Sequence, residues 1–297
     1  MLRIKLSLLA ILLTSPAYAE LKIVTTLPDF ADLARQIGGD KVTVHSVMKG
    51  PENVHNVMAR PTEMVKLNAA DMFVHSGLDA EPWRDNLLLG SRNPRVARGK
   101  PGNVDMSAGV ELIDVPDKID RSLGDIHAYG NPHFSNSPVV ALRLTATLAK
   151  AMAANDPANA DYYLANARKI IGEIAALNEQ LAAGVKANGG VKVMTFHRAW
   201  DYWAPAYGIE IVGTIEQKIG ITPSPADIAK AVEIGRAAGV KVVICEPYND
   251  FAQAQAVAQK IGAKAIVLPN YVNGTKEATS YQAMMKFQIE SILSADR

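Results

Sequence analysis

Cysteine is almost absent from this chain of 297 residues, which contains one, Cys245. A single cysteine cannot form an internal disulfide bond. Cys245 ends the apolar run Val240–Cys245, and this position predicts a buried strand residue. The sequence therefore excludes a disulfide-stapled fold.

A strong excess of either charge is also absent. The formal net charge is +1, and removal of residues 1–19, which carry two basic and no acidic side chains, brings it to about −1. No Lys/Arg cluster is present. Nucleic-acid-binding proteins need a basic surface, so the composition argues against a nucleic-acid partner.

Long hydrophobic runs are missing after the first 19 residues, and those residues have the pattern of a secretory signal peptide. Arg3 and Lys5 form a basic start, Leu6–Leu13 an apolar segment, and Ala17–Ala19 a small-x-small cleavage site. The apolar segment is shorter than the roughly 20 residues that span a bilayer. Because no cysteine follows the signal, a lipid anchor is not expected. We predict a soluble periplasmic protein, without a membrane anchor, that begins near Glu20.

From residue 20 onwards, short β-type runs alternate with amphipathic stretches. This alternation predicts an α/β fold in which mostly parallel sheets are flanked by helices. We expect a signal peptide over residues 1–19 and two lobes, 20–156 and 188–297, each with about four strands, joined by one long linking helix over 157–187. The predicted strands are Leu21–Thr26, Val42–Val47, Met72–His75, Asn103–Met106, Val191–Phe196, Glu210–Thr214, Val240–Cys245 and Ala265–Leu268. The predicted helices are Pro28–Ile37, Pro61–Ala70, Glu81–Leu89, Val139–Ala154, Pro157–Val185, Arg198–Tyr207, Pro225–Ala238, Phe251–Ile261 and Thr279–Leu293.

Three histidines lie in loops where a predicted strand has ended and a helix is about to begin. His55 follows the second strand, His197 directly follows Val191–Phe196, and His133 precedes a helix that Ser137 caps and Pro138 opens. Ligands of open α/β sheets bind beyond the carboxyl ends of the strands. Neutral imidazole suits zinc, copper, nickel or iron. The pattern predicts a transition-metal site, and three histidines favour zinc.

Other polar residues near these loops are weaker candidates. His127 lies six residues before His133 and is a candidate auxiliary ligand, although a plain loop histidine is the simpler interpretation. His45 and His75 lie in or at the end of predicted strands, and we expect them to be packed. Glu216 is interpreted as a solvated surface residue without a role.

Five segments, in this order and spacing, closely resemble the cluster A-I metal-binding solute-binding proteins of zinc/manganese ABC importers, and most of all the zinc-binding members. The likeness covers essentially the whole mature chain. The segments are Pro51–Trp83, Asn131–Phe134, Thr195–Trp200 with Tyr207 and Gly208, Pro223–Pro225, and Ser280–Met285.

The resemblance implies two α/β lobes joined by a rigid helix, with the metal in the cleft between them. It carries the metal-ligand role onto His55, His133 and His197. Manganese-binding members usually have Glu at the third position, so His197 favours Zn²⁺ as the transported ligand. The implied function is periplasmic high-affinity zinc binding and delivery to an inner-membrane ABC permease. We expect a monomer, and a metallochaperone is a further candidate partner.

The chain departs from the family at the fourth ligand. The family usually has an Asp after the last strand, where this sequence has Asn270. Glu246 follows another strand, Val240–Cys245, and is the predicted metal ligand in its place. The alternatives are a water molecule or the Asn270 oxygen as the fourth donor, with Glu246 in a supporting or helix-capping role.

Two other functions remain open at this point. A manganese or iron(II) solute-binding protein is the first, and more oxygen ligands are expected there. A periplasmic zinc hydrolase is the second, since catalytic zinc keeps one coordination position open for water. The sequence has no nucleophile–base pattern, phosphate-binding glycine loop or metalloprotease helix motif. We therefore expect a binding protein and not an enzyme.

Overall fold

The computed structural model describes residues 20–118 and 127–297, so the predicted signal peptide lies outside the described residues. It contains two four-stranded parallel sheets, in the orders β2-β1-β3-β4 and β6-β5-β7-β8, which confirms the predicted two-lobe α/β fold. The strands are β1 (Leu21–Thr25), β2 (Val42–Ser46), β3 (Met72–His75), β4 (Asn103–Asp105), β5 (Val191–Thr195), β6 (Ile209–Thr214), β7 (Val242–Cys245) and β8 (Lys264–Val267). The helices are α1 (Pro28–Gly38), α2 (Pro61–Asn68), α3 (Arg84–Ser91), α4 (Pro138–Asn155), α5 (Ala160–Ala187), α6 (Ala204–Tyr207), α7 (Pro225–Ala238), α8 (Phe251–Ile261) and α9 (Tyr281–Asp296).

The central strands are buried on both faces. All four residues of β3 and of β7 are buried, including Cys245. Parallel strands covered by helices on both sides have this continuous apolar pattern. None of the helices in the described ranges has the length and apolar character needed to cross a bilayer.

Proline opens four of the helices. Pro28, Pro61, Pro138 and Pro225 each occupy the first turn, where the missing N–H costs no helical hydrogen bond. Ser137 is the N-cap residue of α4, as predicted, but its side chain makes no capping hydrogen bond.

The linking helix α5 has 28 residues, which makes it roughly 42 Å long. It packs against α1 and α4 of the first lobe and against α6 and α9 of the second. Its buried side chains belong to one hydrophobic core that extends from β1 to α9. The predicted start at Pro157 is wrong by three residues, because Pro157–Asn159 forms a 3₁₀ turn.

Two predicted helices begin later than expected, because a side chain near each predicted start makes hydrogen bonds in the interior. The predicted helix Arg198–Tyr207 is wrong before Ala204, where the chain turns and brings Trp200 into the interior to donate to Glu246. The predicted start at Glu81 is also wrong, because α3 begins at Arg84. The Glu81 carboxylate turns back and accepts hydrogen bonds from the backbone and hydroxyl of Ser76.

Candidate metal centre

His55 lies in the 3₁₀ turn Val54–Asn56, which follows β2. The Asn53 side chain accepts a hydrogen bond from the His55 backbone, and the Trp83 indole donates to the Val54 carbonyl at 2.8 Å. His55 Nδ1 lies 3.1 Å from the Ala80 carbonyl oxygen. This oxygen can only accept, so Nδ1 carries the hydrogen and Nε2 keeps its lone pair.

His133 lies in the loop before α4, and this loop is tied to the second lobe. The Asn131 side chain accepts from the His133 backbone at 3.0 Å and donates to the Arg198 carbonyl at 3.2 Å. Asn136 donates to the Ala199 carbonyl at 3.0 Å. These bonds connect the loop of His133 to the segment that follows His197.

His197 follows β5 by two residues, and Glu216 follows β6 by two residues. The register of the sheet pairs Thr195 with Thr214, so both side chains leave the same edge. Glu216 contacts His197 Nδ1 and accepts from the Gly220 backbone at 2.7 Å. A carboxylate on one ring nitrogen fixes the orientation of the ring and directs Nε2 towards a metal.

The three predicted histidines meet in the structure. The ring centroids of His133 and His197 are 5.1 Å apart, and His55 lies 5.2 Å from His133 and 6.2 Å from His197. The Nε2 atoms of His133 and His197 are 3.2 Å apart. Two lone pairs repel at this distance, so a proton or a cation belongs between them.

His127 belongs to the same cluster. In the part of the chain that the structure describes, the donor atoms of His55, His127 and His133 all lie within 4.8 Å of one another. His127 Nδ1 lies 3.0 Å from the Asp79 carboxylate, and its side chain is 12% exposed. The side chain therefore lies against the predicted ligands and is mostly shielded from solvent, and its role as a ligand stays a prediction.

The protonation of the cluster is uneven. Burial, with the charges of His127 and His197, lowers the pKa of His55 to about 3. Burial also holds the pKa of His133 well below its usual value. Burial lowers the pKa of His197 too, but the hydrogen bond and the charge of Glu216 outweigh it and raise that pKa. His55 and His133 are therefore neutral at pH 7, as metal ligands must be.

Glu246 is completely buried at the end of β7. One carboxylate oxygen accepts from the Trp200 indole at 2.5 Å, and the other accepts from Asn249 at 2.8 Å. Burial raises the pKa of Glu246 above its usual value. The position predicted for the missing Asp is held by Asn270, which is also buried and donates to the Tyr248 hydroxyl at 3.1 Å. The ligand role of Glu246 stays a prediction.

A cavity of about 270 Å³ leads to the histidines from the cleft between the lobes. Its walls include His127, His133 and His197, together with the ion pair of Arg198 with Asp114. Both lobes line it, and three imidazoles of the cluster form part of its wall.

The sequence analysis missed the residues that bind the second ring nitrogens of the histidines. Glu216 has an 11% exposed side chain, so its interpretation as solvated surface is wrong. Asp79 and the Ala80 carbonyl lie in the loop after β3 and hold His127 and His55. The pairing of β5 with β6 could have indicated Glu216, because both side chains leave adjacent strands at the same distance. No such signal existed for Asp79, which lies 48 residues from its partner.

Comparison with known proteins gives matches over nearly the whole chain. The family model described as ZnuA, zinc-uptake complex component A periplasmic, matches residues 23–295.

Three curated relatives are identical to this chain at about a quarter of the aligned positions. The high-affinity zinc uptake system protein ZnuA of Bacillus subtilis (strain 168) is 25% identical, over 92% of this chain and 86% of its own length. The iron-binding protein YfeA of Yersinia pestis is 24% identical, over 91% and 85%. The manganese ABC transporter substrate-binding lipoprotein PsaA of Streptococcus mitis is 25% identical, over 92% and 88%.

Among solved structures, the crystal structure of ZnuA superimposes with a TM-score of 0.77 at 23% identity. The match covers 94% of this chain and 100% of that chain. This similarity supports the two-lobe fold.

Proposed function

The chain belongs to the ZnuA family of metal-binding substrate-binding proteins of ABC importers, and from this premise we propose that its cargo is Zn²⁺. In this proposal it binds zinc in the periplasm and delivers it to an ABC permease of the inner membrane. The family alone does not choose the metal, because the relatives are named for zinc, iron and manganese.

The observation that carries the zinc assignment is the nitrogen donor set. His55, His133 and His197 converge in the cleft, and for His55 and His197 a partner on Nδ1 leaves Nε2 as the donor. Imidazole nitrogen suits zinc, whereas manganese prefers oxygen ligands. Zinc also favours four ligands in a tetrahedron, which a small buried cluster can supply.

Binding and release form the proposed mechanism. The neutral rings of His55 and His133 are oriented before the metal arrives, so little free energy is spent on ordering them. The proton on His197 Nε2 leaves when the cation binds that nitrogen, while Nδ1 keeps its hydrogen bond to Glu216. The position of the cluster at the end of an open cavity gives the metal a path back to solvent when the protein docks on its permease.

The carboxylates of the centre favour binding over hydrolysis. A zinc hydrolase needs a general base that can reach a metal-bound water. Glu216 and Asp79 each hold the far nitrogen of a histidine, and Glu246 is engaged by Trp200 and Asn249. We therefore retain the solute-binding function and not the enzyme.

Metal titration with a competing chelator tests the assignment. We expect Zn²⁺ to bind much more tightly than Mn²⁺ or Fe²⁺ under anaerobic conditions. His55→Ala, His133→Ala and His197→Ala should each weaken zinc binding by more than the roughly 10- to 100-fold expected on loss of an outer partner. His45 pairs with Glu63 outside the centre, so His45→Ala should leave the zinc affinity unchanged. Equal affinity for Mn²⁺ and Zn²⁺ would overturn the zinc assignment.

A further inference from the structure

We propose that His127 is the fourth metal ligand and replaces the carboxylate that the second lobe lacks. This inference rests on the proposed function, because it adds a donor to the same centre. The site then has four imidazole ligands, three from the first lobe and one, His197, from the second.

The donor atom of His127 is available and oriented. The two Asp79 oxygens accept from His127 Nδ1 at 3.0 Å and from the Ala128 backbone at 2.7 Å. Nδ1 therefore carries the hydrogen, and Nε2 keeps its lone pair. Nε2 of His127 is buried and has no hydrogen-bond partner among the described residues, and the same is true of His55 Nε2. Buried polar atoms without a partner are rare in proteins, and a bound cation would satisfy both.

The spacing of the donors fits one metal ion. Zinc–nitrogen bonds of about 2.0 to 2.1 Å place tetrahedral donors about 3.4 Å apart. The Nε2 atoms of His133 and His197 are already 3.2 Å apart. The donors of His55, His127 and His133 lie within 4.8 Å of one another, so these three must move closer together, and towards His197, to bind one ion.

The competing donors are less available. Glu246 would have to give up a hydrogen bond from Trp200 or Asn249, both made in a fully buried environment. Asn270 has a buried Oδ1 without a partner among the described residues, but a neutral amide oxygen is a weaker zinc ligand than imidazole nitrogen. His127 is the donor that has both a free lone pair and the donor atoms of His55 and His133 within 4.8 Å.

One loop sets the distance between two of the four ligands. Asp79 holds His127, and its neighbour Ala80 holds His55. The side chain of Glu81 fixes the same loop to Ser76. Zinc affinity should therefore depend mainly on the first lobe, and the nitrogen-only ligand set should exclude manganese strongly.

Zinc and cobalt binding by the full mature chain tests the inference. Co²⁺ reports its ligands through its visible absorption bands, and X-ray absorption at the zinc edge counts imidazole ligands through the outer-shell scattering of the ring. We expect four nitrogen donors in the wild type. His127→Ala should weaken zinc binding by more than 100-fold and change the cobalt spectrum. Asp79→Asn, at a positioning residue, should weaken zinc by about 10- to 100-fold and retain the four-nitrogen spectrum.

Glu246→Gln is the matched comparison, and it should leave the spectrum unchanged. Thermal melting of each metal-free variant establishes that it folds. Wild-type affinity and spectrum in His127→Ala would overturn the inference, as would a changed spectrum in Glu246→Gln alone. If the wild type binds no zinc, the proposed function itself fails. If His133→Ala abolishes binding and His127→Ala does not, only the fourth ligand is wrong.

Discussion

At the scale of single residues, the centre consists of histidines whose second nitrogen is held by the protein. Glu216 holds His197, and the Ala80 carbonyl holds His55. Such partners fix the tautomer and the direction of the ring, and their loss commonly weakens metal binding by about 10- to 100-fold. Glu216 also determines where the proton of the metal-free centre resides, because it raises the pKa of His197 against the effect of burial.

We predict that Glu216→Gln changes both the affinity for zinc and its pH dependence. In the wild type, protons compete for His197 at a pH above the ordinary histidine value of 6.5, because its pKa is raised. Without the carboxylate, burial lowers this pKa, so the competition begins at a lower pH. At pH 8 the variant should bind zinc more weakly than the wild type. As the pH falls to 6, the ratio of the two zinc affinities should approach one. Chelator competition across this range measures both effects.

The control for this prediction is Glu63→Gln. Glu63 contacts His45 at 2.5 Å, which is a histidine–carboxylate pair outside the centre. Its loss should leave the zinc affinity unchanged at every pH. If Glu216→Gln and wild type lose affinity over the same pH range, Glu216 does not control the proton on His197.

The sequence was sufficient to single out the three histidines, because His55 and His197 follow strands and His133 lies in the loop that leads into α4. Their meeting between two sheets was implied by the family resemblance. The sequence was not sufficient for their supports. Asp79 and His127 are 48 residues apart, and their contact depends on how the loop after β3 packs against the segment before α4. Pairings of this kind are decided by tertiary packing, and local residue patterns do not encode them.

At the scale of elements, the loop Gly77–Glu81 connects β3 to the metal centre. Gly77 has φ of +71° and Leu78 has φ of +48°, so the chain reverses tightly at the strand end. A Cβ at position 77 would overlap the Asp105 carboxylate and the Ser107 hydroxyl. A side chain at position 77 would have to displace these two side chains, and the turn places Asp79 and Ala80 against two imidazoles.

We predict that Gly77→Ala lowers both stability and zinc affinity. Gly99 is a matched position, since its φ is +77° and a Cβ there meets nothing within 4 Å. Gly99→Ala should lower the free energy of unfolding only by the cost of a left-handed residue, about 1 to 2 kcal/mol. Its zinc affinity should stay that of the wild type. Gly77→Ala should lower the free energy of unfolding by more than this cost and bind zinc more weakly, because the loop must shift. Urea unfolding and chelator competition measure the two quantities.

A separation of the two effects would contradict this prediction. If Gly77→Ala unfolds at lower urea than Gly99→Ala but retains wild-type zinc affinity, the loop does not position the ligands.

Helix starts could be predicted from the sequence where proline marks them and not elsewhere. Proline opens four helices as predicted, whereas the helix expected from Arg198 begins at Ala204. There the burial of Trp200 against Glu246 outweighs local helix preference.

At the scale of the whole molecule, the two lobes are joined by more than the linking helix. Helix α1 of the first lobe contacts the end of the chain. Asp32 accepts from the Tyr281 backbone at 2.8 Å, and Gln36 and Gln282 exchange two side-chain hydrogen bonds. With a continuous core behind these contacts, wide opening of the cleft would expose apolar surface. We therefore expect metal exchange to involve the loops of the centre.

Asp29 also lies at this junction, and 0% of its surface is exposed. Its carboxyl group accepts from the Val272 backbone at 2.7 Å and from the Ser135 hydroxyl at 2.7 Å. Burial raises its pKa from 3.8 to about 7 despite these hydrogen bonds, and the charge of Asp32 adds to the rise. The native protein therefore holds this proton more tightly than the unfolded chain does.

We predict that Asp29 makes the protein less stable as the pH rises. Because the pKa of the native state is higher than that of the unfolded state, this contribution to the free energy of unfolding is fully present below pH 4 and is lost as the pH rises to about 7. The pKa difference corresponds to a loss on the order of 4 kcal/mol. Asp29→Asn keeps an acceptor for Val272 and cannot ionise, so it should be more stable than wild type at pH 8 and by a much smaller margin at pH 5. Urea unfolding of the metal-free protein at both values measures this, with Asp40→Asn, an exposed acid, as the control. An equal fall in stability between pH 5 and pH 8 in Asp29→Asn and wild type would show that the junction does not carry this proton.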